Sequence, residues 1–454
     1  MPDFLIAILA VIFVFGIAIN IHEFGHFIVA KLLGMRVETY SFFGLGKLIW
    51  SKKIGNTNYG IAPFPLGAYV KLYGDEATSS LEGGDSGGEV VPESELYELR
   101  PRWQKFLVMV GGPFMNIILA LAIPFGMALS YGVPSNPAPI VGIIKAGGAA
   151  EKAGLKVGDR IVNFEGVENP TLRRIESDAL LIPEKQVPII VERNGERITL
   201  NITPTKVTES GQSAGLLDFE ADLGTEPIVV GSIQSNMPAA QTDLKSGDWV
   251  ISVNGQAVRN RQEMKKLVGE IKDQPIKLLI NREGERKEIT TTAKQSPSGE
   301  WLIGIGFDSN LSSAKERVGI SGAINHAFQS NWDILRMTAK AFGQVGTGER
   351  SARDTVSGPI GIVQIIAQMA TSAGFQGLLF LLAVISLNLG IMNLLPIPML
   401  DGGQIMVLGI EKVMSWFGRT LSMAVKEKIQ LTGLAIILLL MVFSTFNDIS
   451  RFFR

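Results

Sequence analysis

The sequence has 454 residues, of which 46% are hydrophobic and 19% are charged, and its mean hydropathy is +0.26. These values exclude a disordered chain, which needs low hydrophobicity and a high net charge. The 42 basic and 43 acidic residues almost balance, so the chain lacks the positive charge of a nucleic-acid binder and we expect no nucleic-acid partner. It has no cysteine, which excludes disulfides, thiolate metal ligands and cysteine nucleophiles.

Four apolar runs predict membrane spans, because a helix needs about 20 apolar residues to cross the hydrocarbon core of a bilayer. The predicted spans lie at about 4–32, 105–132, 375–402 and 428–447. We therefore expect a polytopic α-helical membrane protein with the lipid bilayer as a partner. A signal peptide at the first run is disfavoured, because no basic segment precedes it and no small-residue cleavage site follows it.

Lysine and arginine predict the orientation of these spans, because short cytoplasmic loops carry an excess of both. The basic residues that decide it are Lys31, Arg36, Lys47, Lys52, Lys53, Lys71, Arg100, Arg102 and Lys105 in one loop, and Lys412, Arg419, Lys426 and Lys428 in the other. Both loops are expected in the cytoplasm, and both termini and the segment 133–373 on the other side. In a Gram-negative bacterium this is a multi-pass inner-membrane protein whose 133–373 segment is periplasmic.

The first predicted span contains His22, Glu23 and His26 in the pattern H-E-x-x-H. Residues i and i+4 lie on one face of a helix, so both imidazoles can bind one metal ion, with Glu23 beside them as a candidate general base. A charged group at mid-bilayer costs about 2.5–3.5 kcal/mol, and the apolar residues that follow argue against a solvated helix end. The pattern therefore predicts a metal site inside the membrane, near the cytoplasmic side.

The segment between the second and third spans contains a repeat at an offset of 89 residues: L-K-V-G-D at 155–159 returns as L-K-S-G-D at 244–248. The turn and the apolar strand that follow resemble the PDZ fold. Gly304 and Ile305 resemble its carboxylate-binding loop, and Gly215 and Leu216 resemble a weaker copy of that loop. Such domains bind peptides by strand addition beside the loop. Peptide binding and a purely steric capping role both remain open.

A catalytic zinc ion takes three protein ligands and leaves one position open. His326 is the only other histidine, and the predicted topology places it on the opposite side of the membrane. Asp401 is the first charge after the uncharged run 355–400 and is expected to end the third span, so it is the best third ligand, with a turn role in Asp-Gly-Gly as the alternative. Pro396 and Pro398 are expected to break the helix, which membrane proteins allow where backbone lines a buried cavity.

The sequence resembles the site-2 protease family of intramembrane zinc metalloproteases, in its bacterial, sigma-E-regulating branch. The resemblance rests on H-E-F-G-H in the first span, on N-x-x-P-x-P-x-L-D-G-G at 393–403, and on the two PDZ-like domains. It implies one Zn²⁺ held by His22, His26 and Asp401, with Glu23 as the catalytic base. It also implies a set of substrate-binding residues, namely Asn393, Asn388 about one turn earlier, Asn116 in the run G-G-P-F-M-N, and Pro65, Leu66, Gly67 and Tyr69 in a membrane-reentrant β-loop at 59–73.

The expected domains follow the spans in chain order. They are 1–33 (first span), 34–104 (cytoplasmic and reentrant β-loop region), 105–133 (second span), 134–224 and 225–310 (PDZ-like α+β domains), 311–374 (linker with interfacial helices), 375–403 (third span), 404–427 (cytoplasmic loop) and 428–450 (fourth span). Within the β-loop region, the acidic stretch 75–98 is expected to be a flexible loop.

The resemblance implies peptide-bond hydrolysis inside the membrane segment of a single-span protein, such as an anti-sigma factor trimmed beforehand by another protease, and of signal-peptide remnants. Two other functions remain open. One is a membrane-anchored zinc peptidase that cleaves unfolded proteins in the cytosol. The other is a membrane scaffold or transporter whose metal site has degenerated.

Overall fold

The computed structural model describes residues 3–64, 67–74, 91–134, 138–209, 212–222, 224, 228–282, 284–296, 299–307, 315–351, 353, 357–419 and 421–451. Pro65, Leu66 and most of the acidic stretch therefore lie outside the described residues. The chain divides into two compact units. The first combines Met1–Ala128 with Ile320–Arg454, and the second is Leu129–Gly319.

The α-helices of the described residues, in chain order, are α1 (Asp3–Leu32), α2 (Arg102–Tyr131), α3 (Ala149–Lys152), α4 (Leu172–Leu180), α5 (Arg261–Ile271), α6 (Ile320–Gly346), α7 (Pro359–Ser372), α8 (Gly374–Asn393), α9 (Asp401–Trp416) and α10 (Met423–Arg451). Two short 3₁₀ segments lie at Glu93–Glu95 and Pro238–Gln241.

The strands are β1 (Val37–Phe42), β2 (Trp50–Ile54), β3 (Thr57–Ile61), β4 (Tyr69–Leu72), β5 (Val133–Pro134), β6 (Val141–Ile144), β7 (Arg160–Phe164), β8 (Val167–Glu168), β9 (Val187–Arg193), β10 (Glu196–Ile202), β11 (Thr205–Glu209), β12 (Gln212–Leu216), β13 (Phe219–Ala221), β14 (Ile228–Ile233), β15 (Trp249–Val253), β16 (Gln256–Ala257), β17 (Ile276–Arg282), β18 (Glu285–Thr291), β19 (Lys294–Gln295), β20 (Trp301–Leu302), β21 (Ile305–Phe307) and β22 (Lys315–Glu316).

Four helices in the described part of the chain are long and apolar enough to cross a membrane: α1, α2, α8 and α10. The protein is thus a polytopic helical membrane protein with PDZ-like domains inserted between its second and third spans, as predicted. The third span differs in detail, because α8 ends at Asn393 and does not reach residue 402. Pro396 and Pro398 disfavour a continued helix because neither has an amide hydrogen to donate. A short non-helical segment, 394–400, follows, and Asp401 begins α9.

The first unit has two apolar clusters, and α1 contributes to both. Towards its N-terminus, Val14 and Ala18 pack with Ile366 of α7 and with α8. Towards its C-terminus, Phe27 packs with Val108 of α2 and with the first sheet. Helix α1, which carries H-E-x-x-H, therefore packs against other elements along most of its length.

The sheet of the first unit has the strand order β2-β3-β1-β4, with β1 parallel to β3 and antiparallel to β4. Among the described strands, β4 lies at one edge of this sheet and β2 at the other. The predicted β-loop 59–73 therefore spans the end of β3, the connection after it, and an edge strand.

The second unit contains two β-domains whose elements correspond. The first has the sheet β10-β9-β7-β8 and the pair β13-β6, and the second has the sheet β18-β17-β15-β14-β21 with β16 on β15. Each encloses its own apolar core. The aspartate of the L-K-x-G-D repeat binds an arginine in both domains. Arg193 binds buried Asp159 at 2.7 Å, and Arg282 binds buried Asp248 at 2.7 Å.

The offset of 89 does not extend to the carboxylate-binding loop. Ile144 and Ile233 differ by 89, but they pair with Phe219 and Ile305, which differ by 86. The counterpart of Gly304 is thus Asp218, and both have a positive φ. The prediction that equated Gly215 and Leu216 with this loop was wrong, because both residues lie in β12 and pair with β11. Between these paired residues the second domain is three residues shorter than the first, which accounts for the shift.

Candidate metal centre

Three predicted ligands converge inside the membrane-spanning unit. His22 Nε2 lies 3.1 Å from Asp401 Oδ2, and His26 Nε2 lies 3.5 Å from Asp401 Oδ1. The two imidazole Nε2 atoms are 3.2 Å apart. None of the three side chains is more than 12% exposed. A set of two imidazoles and one carboxylate, each offering one ligand atom within 4.8 Å of the others, is a typical three-ligand zinc site.

The backbone that delivers Asp401 is unusually compact. An added Cβ at Gly402 would lie 2.3 Å from the carbonyl oxygen of Leu394, and one at Gly403 would lie 2.1 Å from that of Ile397. The two glycines after Asp401 are therefore required for α9 to start directly against the 394–400 segment. This packing brings Asp401 beside α1, although nearly 380 residues separate it from His22 in sequence.

A backbone carbonyl orients one of the imidazoles. His26 Nδ1 lies 2.7 Å from the carbonyl oxygen of Val108 on α2, so Nδ1–H donates a hydrogen bond there. This tautomer leaves the Nε2 lone pair free to bind a metal ion. A hydrogen bond from the other ring nitrogen to a backbone carbonyl is the usual outer contact of a metal-binding histidine. The sequence contained no signal for Val108, because any residue supplies a carbonyl.

Asn116 holds the other imidazole. It is fully buried, its Nδ2 lies 3.3 Å from His22 Nδ1, and its Oδ1 has no hydrogen-bond partner among the described residues. A 180° rotation of the carboxamide occupies the same space and lets Oδ1 accept a hydrogen bond from His22 Nδ1–H. That rotation satisfies the orphaned oxygen and frees His22 Nε2 for a metal ion. Asn116 thus contacts a predicted zinc ligand, whereas the sequence suggested contact with substrate.

Glycines on α2 make room for this arrangement. An added Cβ at Gly112 would lie 2.4 Å from His26 Nε2 and 2.8 Å from His22 Nε2. One at Gly25 would lie 2.1 Å from the carbonyl oxygen of Gly111. Helices α1 and α2 therefore meet backbone to backbone at the metal site. Sequence reasoning noted the G-G-P-F-M-N run but did not identify the glycine that contacts the ligand atoms.

The chemistry of the site fits zinc. Asp401 Oδ2 is buried without a hydrogen-bond donor, yet it lies close to an imidazole nitrogen that the outer contacts leave unprotonated. Two lone pairs at 3.1 Å repel each other unless a cation lies between them. The orphaned carboxylate oxygen and the two imidazoles whose Nε2 atoms face it therefore fit a zinc ion.

Glu23 follows His22 on α1 and lies beside the metal ligands without belonging to the ligand cluster. Tyr40 lies on β1, 3.4 Å from the carbonyl oxygen of Asn20 on α1. Burial raises the pKa of Tyr40, and the negative charge of Glu23 raises it further. A carboxylate one residue along the helix from a candidate metal ligand is suited to accept a proton from water.

Two of the predicted substrate contacts lie on α8. Asn393 ends the helix, and its Nδ2 lies 3.4 Å from His22 Nε2, at the mouth of the metal site. Asn388 precedes it by five residues, which at about 100° per residue places the two side chains about 140° apart. The structure therefore brings Asn393 to the site, while Asn388 occupies another face of α8.

The predicted β-loop is ordered where it is described. Gly67 has φ +144°, and its carbonyl oxygen accepts a hydrogen bond of 2.6 Å from the Gly44 amide. The Tyr69 hydroxyl lies 3.2 Å from the carbonyl oxygen of Gly46 and Tyr69 begins the edge strand β4. These contacts hold β4 at the edge of its sheet.

Known proteins were compared with the chain as a whole. The profile of peptidase family M50 matches residues 10–440. The regulator of sigma-E protease RseP of Escherichia coli (strain K12) is 30% identical over 480 aligned positions, which cover 99% of this chain and 100% of the relative. RseP of Salmonella typhimurium (strain 14028s) is also 30% identical and covers 97% of this chain and 98% of its own. A Neisseria meningitidis protein with a zinc metalloprotease name is 29% identical, covering 98% of this chain and 99% of its own.

A solved PDZ domain, from an SdrC-like protein of Listeria monocytogenes, covers 20% of this chain and 97% of its own with 20% identity and a TM-score of 0.18. The match of the family profile over nearly the whole length, and the relatives that share it from end to end, show a zinc metallopeptidase. The chain belongs to peptidase family M50, the site-2 protease family.

Proposed function

We propose that the protein hydrolyses peptide bonds within the membrane segment of single-span membrane proteins. The observation that carries this proposal is the place of the metal cluster. His22 and His26 lie on a membrane helix, Asp401 lies next to another, and all three side chains are almost fully buried. A substrate that reaches them must do so from within the bilayer.

The chain's own residues divide the chemistry. His22, His26 and Asp401 would hold zinc, which when bound lowers the pKa of its water and polarises the substrate carbonyl. Glu23 accepts a proton from the attacking water and passes it to the amide nitrogen as the C–N bond breaks. Val108 and Asn116 keep the imidazoles in the required tautomers.

A helical substrate hides its carbonyl groups in backbone hydrogen bonds, so it must unwind before attack. Among the described strands β4 lies at the edge of its sheet, where an extended segment of substrate would pair with it by strand addition. Asn393 would hold the freed backbone beside the metal site, given its distance of 3.4 Å from His22. Gly67, Tyr69 and the two residues before them, Pro65 and Leu66, belong to the same proposed contact.

The relatives named for regulation of sigma-E support a narrower proposal for the substrate. It is a single-span anti-sigma factor trimmed beforehand by another protease, and signal-peptide remnants are further substrates. By the distribution of lysine and arginine, the second unit would be periplasmic in an inner-membrane protein, with the active site near the cytoplasmic side.

The two β-domains would restrict access and differ in peptide binding. In the second domain Gly304 directly precedes the strand β21, which begins at Ile305 and lies at one end of its sheet. In the first, the Asp218 carboxylate takes the corresponding place and accepts a hydrogen bond from the Ala149 amide at 3.1 Å. A peptide carboxylate is therefore expected to bind the second domain, while both domains exclude bulky substrates by size.

A set of variants tests the proposed chemistry. Glu23→Gln should retain zinc and lose cleavage of a single-span reporter, whereas His22→Phe and Asp401→Ala should lose zinc as well. The matched control is Glu427→Gln, which changes an exposed glutamate of α10. Zinc per purified chain and mass spectrometry of the cleavage products are the measurements. Cleavage by the Glu23→Gln chain, or products cut only outside the membrane segment, would contradict the proposal.

A further inference from the structure

The last membrane helix, α10, has mostly exposed side chains, but an ion pair near its start and hydrogen bonds near its end attach it to other helices. Near its start, Lys426 Nζ forms an ion pair of 2.6 Å with Glu411 on α9. The two side chains are 25% and 16% exposed, so the pair is shielded from water. Because α9 begins with Asp401, this tie joins α10 to the helix that carries the third metal ligand.

The other end of α10 is tied to the N-terminus of α7. The buried Asp448 carboxylate accepts hydrogen bonds from the amides of Gly358 and Gly361, at 3.0 and 2.9 Å. The neighbouring Asn447 donates from Nδ2 to the carbonyl oxygen of Arg353 at 2.8 Å. A carboxylate at the first turn of a helix satisfies amides that have no partner within the helix. These contacts fix α10 to the element that packs against α1.

Between these two attachment points, α10 contacts the segment 394–400, which precedes Asp401. Gly433 is buried, and a Cβ added there would lie 2.3 Å from the carbonyl oxygen of Pro398 and 2.4 Å from its Cβ. Met399, the next residue, has φ +79°, a left-handed conformation that a non-glycine residue adopts only when its surroundings impose it. Gly402 and Gly403 also lie directly against carbonyl oxygens of this segment.

We propose that α10 acts as a strut that positions Asp401 for metal binding, through the contact of Gly433 with Pro398. Gly433, Lys426 and Asp448 are positioning residues in this scheme. The strained Met399 stays in place because α10 blocks the movement that would relax it, and the Asp401 carboxylate then points at His22 and His26. The inference rests on the proposed role of Asp401 as the third zinc ligand.

The decisive experiment compares Gly433→Ala with Gly126→Ala in the full-length chain. Both change a glycine within a membrane helix, but a Cβ at Gly126 meets no atom within 4 Å. Zinc affinity is measured by competition with a chelator, and Co²⁺ substituted for zinc reports the ligand set through its absorption spectrum. We expect Gly433→Ala to weaken zinc binding by about 10–100-fold, the range for loss of an outer contact, and to change the Co²⁺ spectrum. Gly126→Ala should leave both unchanged.

A charge exchange provides the second arm and stays informative if Gly433→Ala fails to fold. Lys426→Glu alone should weaken zinc binding, and the double variant Glu411→Lys with Lys426→Glu should restore it. If folded Gly433→Ala or Lys426→Glu bound zinc with wild-type affinity, the proposal that α10 positions Asp401 would be refuted. Zinc retained by Asp401→Ala would instead overturn the proposed ligand set, so the two failures are distinguishable.

Discussion

Gly112 provides the sharpest test of the metal site, because it touches both imidazoles without being a ligand. A methyl group at this position would lie 2.4 Å from His26 Nε2 and 2.8 Å from His22 Nε2. An ordinary van der Waals contact begins at 3.4 Å, so the nearer nitrogen must retreat by about 1 Å. Metal–ligand distances tolerate only about 0.2 Å.

The imidazoles cannot easily make that retreat. The His26 ring is held by its hydrogen bond to the Val108 carbonyl oxygen, and α1 and α2 are already in backbone contact at Gly25 and Gly111. Gly112→Ala should therefore lose at least one imidazole ligand, and we expect zinc affinity to fall by at least about 100-fold, beyond the loss usual for an outer contact. Cleavage of a membrane-embedded reporter should fall in proportion.

The assay pairs chelator competition for zinc with circular dichroism of the purified chain in detergent. Gly126→Ala is the control, because it adds the same methyl group to the same helix in open space. The reasoning would be refuted if folded Gly112→Ala bound zinc as tightly as the wild type. A loss of helical signal in Gly112→Ala but not in Gly126→Ala would show that the same overlap prevents the two helices from packing.

Three further predictions concern other parts of the molecule. Asp248→Asn should destabilise the second β-domain by about 2 kcal/mol, the worth of hydrogen bonds to a charged group, because it removes the charge of the buried carboxylate and leaves Arg282 with Asp243 as its acidic partner. Hydrogen exchange of β17 in the full chain would show this loss, and unchanged exchange would count against it. Burial alone would raise the pKa of Asp248, but hydrogen bonds from Arg282 and the Lys245 amide outweigh burial and lower it. The protection of β17 should thus be constant between about pH 8 and 5 and decline only below about pH 4. Asn393→Ala should reduce kcat/KM by about 10-fold, the worth of one hydrogen bond, with zinc content unchanged; a loss of zinc would make it a metal contact instead. Deletion of 134–310 should permit cleavage of untrimmed substrate, and unchanged discrimination would exclude the size filter.

Some features were determined by the sequence because they depend on local order along the chain. The four apolar runs exceed the thickness of a bilayer, and His22 and His26 share a face because helix geometry requires it. Pro396 and Pro398 lack the amide hydrogen that a helix interior uses, and α8 ends before them. The correspondence of Asp159 and Asp248 was likewise predictable, because the turn that contains them repeats in the sequence at a constant offset.

Other features depend on which segments meet in space, and these only the tertiary structure decided. The offset of 89 suggested that Gly215 matches Gly304, but strand pairing shows that Asp218 matches it. The second domain is three residues shorter between the paired strands, so the pairing of the strands, and not the offset, determines which residues correspond. Asn116 reads as one polar residue in an apolar span, and only packing shows that it reaches His22.

The same reason applies to the glycines. Gly112 and Gly433 carry no side chain that a pattern could identify, and their importance lies entirely in the atoms that another helix places against them. Asp401 could be proposed as a ligand by elimination, because the chain has no cysteine and only three histidines. Its distance of 3.1 Å from His22 results from a folded segment, 394–400, that neighbouring helices hold in a strained conformation. Composition and periodicity limit the candidates, whereas distances between remote residues arise from packing.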